Sequence, residues 1–229
     1  MLEAITLDNE HLLLPALATL NNLSYYPIAN QVEVYNRLRG LLLTQDQSVA
    51  AEAARVIGNL SRRKEVRDCL LDDGFLQCTV HLLAAEDSER DFLSAFVGII
   101  INLMSDERLR PAFKSEDGIP RCIDLLHSCL NDKDWDLACL ICQAIWNYAI
   151  DCRKLSDVIE VDHLEELEDA IVFLLEAYNE FSMHEESGDS DEIMTEQELE
   201  ACRFCQVSML LLKRILSEST RKVELLLND

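Results

Sequence analysis

Apolar residues recur at helical spacing in four segments of the chain, each aligned on an asparagine. The positions ten, six, three and two residues before the asparagine, and one after it, trace one face of a helix with about 3.6 residues per turn. Nineteen of these twenty positions are apolar. In the first segment they are Leu12, Ala16, Thr19, Leu20 and Leu23. The pattern predicts four amphipathic helices of about four turns each.

The asparagines lie in LNNLS, IGNLS, IINLM and IWNYA, as Asn22, Asn59, Asn102 and Asn147. They are spaced by 37, 43 and 45 residues, which is near the period of helical solenoid repeats. Short polar residues that satisfy free amides indicate where two of the helices begin. We expect one helix to begin at Ser88, which is followed three residues later by Asp91, and another to begin at Asp134.

Two shorter units match each other between these helices, EVRDCLLDDGFLQCTVHLL at 65–83 and RLRPAFKSEDGIPRCIDLL at 108–126. Each predicts a short helix, a bend marked by glycine, and a second helix that ends in leucines. Gly74 and Gly118 are assigned the same place in the two bends. Together with the long helix that follows, each unit predicts a repeat of three helices.

A repeat of about 40 residues with three helices and an asparagine late on the third resembles the armadillo repeat. The resemblance implies an all-α, right-handed armadillo-type solenoid of about four repeats, the first incomplete, in a single domain over 1–229. The expected repeats are 1–26 (partial), 27–62, 63–105, 106–152 and 153–217, with an acidic insertion at 182–196 and a tail at 218–229. The chain then opens inside a third helix near His11, and we interpret it as the C-terminal part of a longer protein.

In peptide-binding armadillo proteins the third helices line a concave groove, where their asparagines bond the backbone of an extended ligand. The resemblance implies this role for Asn22, Asn59, Asn102 and Asn147. The alternative is that the amides bond neighbouring repeats or cap loops, since an amide offers donors and an acceptor for either role. Both interpretations remain open on the sequence alone.

Nuclear-import receptors of the family also carry a tryptophan four residues before the asparagine. Here those positions hold Ala18, Arg55, Gly98 and Gln143. Arg55 would repel a basic ligand, so a nuclear-import receptor is disfavoured. Arg55 and Gln143 join the asparagines as candidate groove residues for binding a partner.

A narrower likeness points to one family member of cilia and sperm flagella. It is carried by LATLNNLSYY at 17–26, VIGNLS at 56–61 and DWDLACLICQAIWNY at 134–148. This implies an adaptor for axoneme assembly, with axonemal or intraflagellar-transport proteins as partners, such as cargo from radial spokes. The alternative is a groove-type receptor or signalling regulator that binds a basic peptide.

Net charge and hydropathy limit the other classes of partner. The formal net charge is −23, which disfavours nucleic acid because binding a phosphate backbone depends on lysine and arginine. Residues 151–200 hold 18 acidic and 2 basic side chains. No apolar run approaches the roughly 20 residues of a membrane span, and MLEAITLDNE lacks the pattern of a secretory signal. We therefore expect a cytoplasmic protein that binds no membrane.

The sequence contains no recognisable motif for catalysis or for a cofactor, and we do not expect its metal-like spacings to bind a metal. The nine cysteines are interpreted as reduced and mostly buried. The pairs Cys139/Cys142 and Cys202/Cys205 have the spacing of zinc half-sites, but they lie in helical patterns rather than in knuckles. Asp132, Asp134 and Asp136 imitate a calcium loop without its glycine, and are interpreted as a loop and helix cap.

An acidic stretch, HEESGDSDEIMTEQELE at 184–200, contains no lysine or arginine. It predicts a solvated loop in the last repeat, followed by a helix that starts with Thr195 and Glu198 as a capping box. Ser187 and Ser190 are hypothetical phosphorylation sites for an acid-directed kinase. Mass spectrometry of protein from its native cell would remove that hypothesis if neither serine carried phosphate.

Overall fold

The computed structural model describes residues 10–83, 88–152, 155 and 158–186. Every regular element in these ranges is a helix, as the sequence predicts. The described residues divide into two compact units between Gly118 and Ile119. They are called unit 1 and unit 2 below.

Unit 1 contains the following helices in chain order: α1 (Glu10–Ser24), α2 (Gln31–Leu38), a 3₁₀ helix (Arg39–Leu43), α3 (Gln47–Leu60), α4 (Lys64–Asp72), α5 (Phe75–Leu83), α6 (Arg90–Met104) and α7 (Arg110–Ser115). The helix α8 (Gly118–Asp132) begins at the division, and unit 2 continues with α9 (Trp135–Ala149) and α10 (Val161–Glu186). The four predicted third helices are therefore α1, α3, α6 and α9.

The predicted apolar face is buried in three of these four helices. In α3 it includes Val56, Ile57 and Leu60, which are at most 1% exposed, and α6 and α9 bury the equivalent residues. Burying each such side chain contributes about 1.5–3 kcal/mol. In α1, Leu20 is buried, but Leu12 and Leu23 are 53% and 43% exposed.

The exposure of Leu12 and Leu23 differs from the prediction for a physical reason. In a helix with 3.6 residues per turn, Leu12 and Leu23 occupy the half of the predicted apolar face that is nearer to the asparagine. In α3 and α6 that side contacts the preceding third helix. No described element covers it in α1, so only the half of the predicted face that packs on α3 and the core is buried there.

Side-chain caps start α3 and α9 but not α6. Asp134 accepts a hydrogen bond from the amide of Leu137 at 3.1 Å, which confirms the predicted start of α9. The expectation for Ser88 is wrong. The N-cap of α6 is Glu89, whose backbone amide donates to Oε1 of Gln47 at 2.6 Å. A side chain from another helix therefore replaces the local cap.

The two bends before α5 and α8 use different residues. Gly74 adopts a left-handed conformation with φ 65°, and at the second bend the left-handed residue is Asp117, with φ 57°. The prediction that Gly118 takes the place of Gly74 is therefore off by one residue. Gly118 begins α8, and a Cβ atom there would clash with the ring of Phe113. The glycine is needed for close packing rather than for the turn.

Three helices lie in 63–105, as predicted, and three also lie in 27–62, where the second is the 3₁₀ helix. There α2 is followed directly by the 3₁₀ helix. Leu38 and Arg39 both keep right-handed helical backbone angles, and no left-handed residue separates the two helices. At the other end of the chain, α10 continues through Glu186. The first residues of the predicted insertion at 182–196 are thus helical, and 187–229 lie outside the described residues.

An arginine follows each of α3 and α6 and binds the end of that helix. Nη1 of Arg67 donates to the carbonyl oxygens of Ser61 and Arg62, and Nε of Arg110 donates to that of Met104 at 3.0 Å. Arg67 also pairs with Asp106 at 2.8 Å. Hydrogen bonds from Arg108, which has the larger effect, and from Arg67 hold the pKa of the Asp106 carboxyl well below its usual range.

We predict that Gly118→Ala lowers the free energy of unfolding by about 1–3 kcal/mol, the usual cost of overpacking. Phe113 is 1% exposed, so its ring has little room to move away from the new methyl group. Gly98→Ala is the matched control within α6, since no atom lies within 4 Å of its Cβ position. It should raise stability by up to about 1 kcal/mol because alanine favours a helix. Urea denaturation followed by circular dichroism measures both, and equal effects of the two substitutions would contradict the packing argument.

Candidate partner-binding groove

Three third helices of unit 1 lie side by side, since α3 packs against both α1 and α6. A cleft of about 520 Å³ crosses all three. Its lining residues are Leu14 and Ala18 from α1; Gln47, Ser48, Ala51, Glu52 and Arg55 from α3; and Glu89, Arg90 and Asp91 at the start of α6. The cleft combines a small apolar surface with five charged side chains.

Arg55 forms ion pairs with two carboxylates in this cleft. Its Nη1 donates to Oε1 of Glu52 one turn earlier on α3, and its Nη2 lies 3.4 Å from Oδ2 of Asp91 on α6. The Arg55 side chain is 33% exposed and that of Glu52 is 18% exposed. The positive charge of Arg55, which the sequence analysis expected to repel a basic ligand, is therefore paired with carboxylates of its own chain.

The second carboxylate oxygen of Glu52 is exceptional within the described residues. Oε2 is buried and has no hydrogen-bond partner among them. A buried acceptor without a partner costs free energy. The Glu52 carboxylate therefore has its hydrogen bond, among the described residues, only through Oε1 to Arg55.

Asn59 ties α3 to α1. Its Nδ2 donates to Oδ1 of Asn21 at 3.0 Å and to Oγ of Ser24 at 2.9 Å. Ser24 is 5% exposed, and its hydroxyl donates in turn to the carbonyl oxygen of Asn21 at 2.7 Å. Both N–H groups of the Asn59 amide are therefore used between helices, and its carbonyl oxygen remains available.

Asn102 ties α6 to α3 in a similar way. Its Nδ2 donates to the carbonyl oxygen of Gly58 at 2.8 Å. A Cβ atom on Gly58 would lie 3.6 Å from Ile99, so the two helices are in close contact at this point. One N–H group and the carbonyl oxygen of the Asn102 amide remain available for another partner.

The other predicted groove residues occupy different environments. Asn22 is exposed and its side chain makes no hydrogen bond with a described residue, while its neighbour Asn21 makes the bond to α3. Gln143 and Asn147 are half-buried on α9, in unit 2. Ser187 and Ser190 lie outside the described residues.

Sequence reasoning missed Glu52, Asp91, Asn21 and Ser24 as residues of this region. The only local signal for them is the opposite charge of Glu52 and Arg55 three positions apart, a spacing that brings side chains together on a helix. The bonds from Arg55 to Asp91 and from Asn59 to Ser24 join separate helices. They depend on how the helices pack.

The cysteine pair of α9 lies in the helical interior rather than in a metal-binding knuckle. Cys139 and Cys142 are both buried inside α9, and burial raises the pKa of the neighbouring Cys122 thiol to about 12. Across the described ranges, no three His, Cys, Asp or Glu side chains cluster as a metal site would require. No helix in those ranges is long and apolar enough to cross a bilayer. Cys202 and Cys205 fall outside the described residues.

We predict that Asn59→Ala lowers the free energy of unfolding by about 1–3 kcal/mol, because it leaves two partly buried acceptors on α1 without a donor. Asn22→Ala is the matched control at the equivalent position of α1. It should change stability by less than about 0.5 kcal/mol, as expected of an exposed side chain without partners. Chemical denaturation of the two variants measures the difference. Equal losses would argue against the bonds between α3 and α1.

Comparison with known proteins identifies relatives of the chain. It is 34% identical over 148 residues to human Armadillo repeat-containing protein 2, a match that covers 62% of this chain and 17% of the human protein. The mouse protein of the same name is 30% identical over 156 residues, covering 66% of this chain and 18% of that protein. The chain thus spans less than a fifth of the length of these relatives. No protein-family model matches it.

Solved structures with the same fold are designed armadillo repeat proteins. One, YIII(Dq)4CqI, matches with a TM-score of 0.61 at 15% identity, covering 92% of this chain and 98% of that one. Another, in complex with the peptide (KR)4, matches with a TM-score of 0.61 at 17% identity, covering 92% and 97%. The fold is therefore that of an armadillo-repeat solenoid, and about two thirds of the chain is similar in sequence to part of Armadillo repeat-containing protein 2.

Proposed function

We propose that the chain is a non-catalytic scaffold or adaptor that binds other proteins in the groove of its third helices and supports assembly of the ciliary or flagellar axoneme. The observation that carries the binding role is the cleft that crosses α1, α3 and α6. Solenoid repeats act mainly through such extended surfaces. The repeats of unit 1 proposed to form the groove are 27–62 and 63–105, with part of a repeat before them.

The groove offers several kinds of contact to an extended segment of a partner. Leu14 and Ala18 are exposed on α1 and provide an apolar surface beside the charged residues of α3. The carbonyl oxygen of Asn59 and the remaining groups of Asn102 can bond a peptide backbone while the same amides hold the helices together. The two roles considered for the asparagines are therefore compatible.

The ciliary part of the proposal rests on the relatives and on the stretches LATLNNLSYY, VIGNLS and DWDLACLICQAIWNY. Likeness to a protein of cilia and sperm flagella supports axonemal or intraflagellar-transport proteins as partners. A role as adaptor for radial-spoke cargo in intraflagellar transport is the most specific form of this proposal.

The alternative function is a groove-type receptor or signalling regulator for a basic peptide. It is supported by the similar fold of a designed protein in complex with (KR)4 and by the acidic net charge of −23. The ion pairs of Arg55 with Glu52 and Asp91 weigh against it in unit 1, because they occupy the acidic groups that a basic peptide would use.

We expect affinity capture from an extract of ciliated cells to recover axonemal or intraflagellar-transport proteins on the full chain, and to lose them on a groove variant with Leu14→Glu and Ala18→Glu. Both positions are exposed, so the variant should fold, but the added charges oppose apolar contacts in the cleft. Leu43→Glu with Leu71→Glu is the control, since these leucines are 67% and 38% exposed, lie outside the cleft lining and give the same change in charge. Circular dichroism checks folding, and quantitative mass spectrometry reports the captured proteins.

Retention by the control together with loss by the groove variant would support an adaptor that uses the groove of unit 1. Equal recovery on all three proteins would place the binding surface elsewhere. Recovery of no axonemal or transport protein on the unaltered chain would contradict the ciliary role. Capture of proteins with lysine-rich segments alone would favour the receptor.

A further inference from the structure

We infer that Arg55 sets the charge specificity of the groove: its guanidinium occupies the place where a ligand's cation would bind, so that basic segments are rejected. The inference deepens the proposed binding function and rests on it, because it concerns which partners the same groove accepts. It predicts that removing the Arg55 guanidinium turns the cleft into a binding site for a basic peptide.

The geometry around Arg55 is that of an occupied cation site. Its guanidinium pairs with Glu52 on α3 and with Asp91 on α6, so the two carboxylates come from successive third helices. These are the anionic groups that an incoming lysine or arginine would need. A cationic ligand would first have to displace Arg55, and each new ion pair would replace one that already exists.

Glu52 is the group that would change most if Arg55 were lost. Its side chain is 18% exposed, its Oε2 has no partner among the described residues, and its Oε1 would lose the hydrogen bond from Arg55. A partly buried carboxylate without a hydrogen-bond donor is unfavourable. A lysine or arginine from a ligand would supply the missing donor and would recover the lost interaction.

The remaining lining would favour the same kind of ligand. Three carboxylates and two guanidinium groups line the cleft, giving a formal charge of −1, which becomes −2 without Arg55. Leu14, Ala18 and Ala51 provide an apolar surface along which the methylene groups of a long cationic side chain can lie. Loss of Arg55 would therefore double the negative charge of the cleft and leave the carboxylates of Glu52 and Asp91 without their shared cation.

The test measures binding of a fluorescently labelled (KR)4 peptide to the full chain by fluorescence anisotropy at low and at physiological salt. The variant is Arg55→Ala, with Arg55→Gln as a second form that keeps part of the side chain in place. The matched control is Arg37→Ala, which removes the same charge from an exposed pair with Glu33 on α2, outside the cleft lining. A labelled (GS)4 peptide of equal length reports binding that does not depend on charge.

We expect Arg55→Ala and Arg55→Gln to bind (KR)4 at least about tenfold more tightly than the unaltered chain, as for one regained charged interaction. Arg37→Ala should leave the affinity within about twofold of the unaltered chain, because its charge lies outside the cleft. Adding Glu52→Gln to Arg55→Ala should return the affinity to the starting value. The gain should shrink at physiological salt, and (GS)4 should bind none of the proteins measurably.

The inference is overturned if neither Arg55 variant binds (KR)4 more tightly, or if Arg37→Ala gives the same gain, which would make the effect one of net charge. It is also overturned if the unaltered chain already binds (KR)4 as tightly as Arg55→Ala. These outcomes are separate from failure of the proposed function. Capture of axonemal proteins does not require (KR)4 to bind, and a gain of (KR)4 binding does not require any axonemal partner.

Discussion

The side-chain amides of Asn59 and Asn102 provide the interaction on which the structure of unit 1 depends. Successive third helices pack through small or apolar residues, and each asparagine donates to the preceding helix, to Asn21 and Ser24 in one case and to Gly58 in the other. Packing alone tolerates small shifts between helices, whereas a partly buried amide must meet particular acceptors. The asparagines thereby fix the register in which the groove is built.

This register also explains the chemistry of the cleft. Once α3 and α6 are aligned, Arg55 on one helix reaches Asp91 on the next, and the apolar side chains of α1 border the same space. Asn59 and Asn102 use three of their four side-chain N–H groups to hold the helices together. Their side-chain carbonyl oxygens make none of these bonds. Within the cleft, the guanidinium of Arg55 is already paired with the carboxylates of Glu52 and Asp91.

Sequence periodicity predicted the helices and their asparagine register, because burial of one helix face repeats along the chain. The armadillo fold was implied by the resemblance of that repeat to a known family. Periodicity could not predict that Leu12 and Leu23 are exposed, since the same residues are buried only where a neighbouring helix covers them. The spacing of the glycines placed the second bend at Gly118, one residue too late. Asparagine and aspartate also adopt the left-handed conformation, and Asp117 does so here. The pair between Arg55 and Asp91 joins residues far apart in sequence, so no local pattern reports it.

A double-mutant cycle between Asn59→Ala and Ser24→Ala most directly tests whether the asparagines couple successive third helices. The two side chains are 35 positions apart and are joined by one hydrogen bond of 2.9 Å. Unfolding free energies of the two single variants, the double variant and the unaltered chain give the coupling energy. The account predicts a coupling of about 0.5–1.5 kcal/mol, the usual contribution of such a bond. Additive effects, agreeing within about 0.3 kcal/mol, would show that the asparagine does not hold the helices in register.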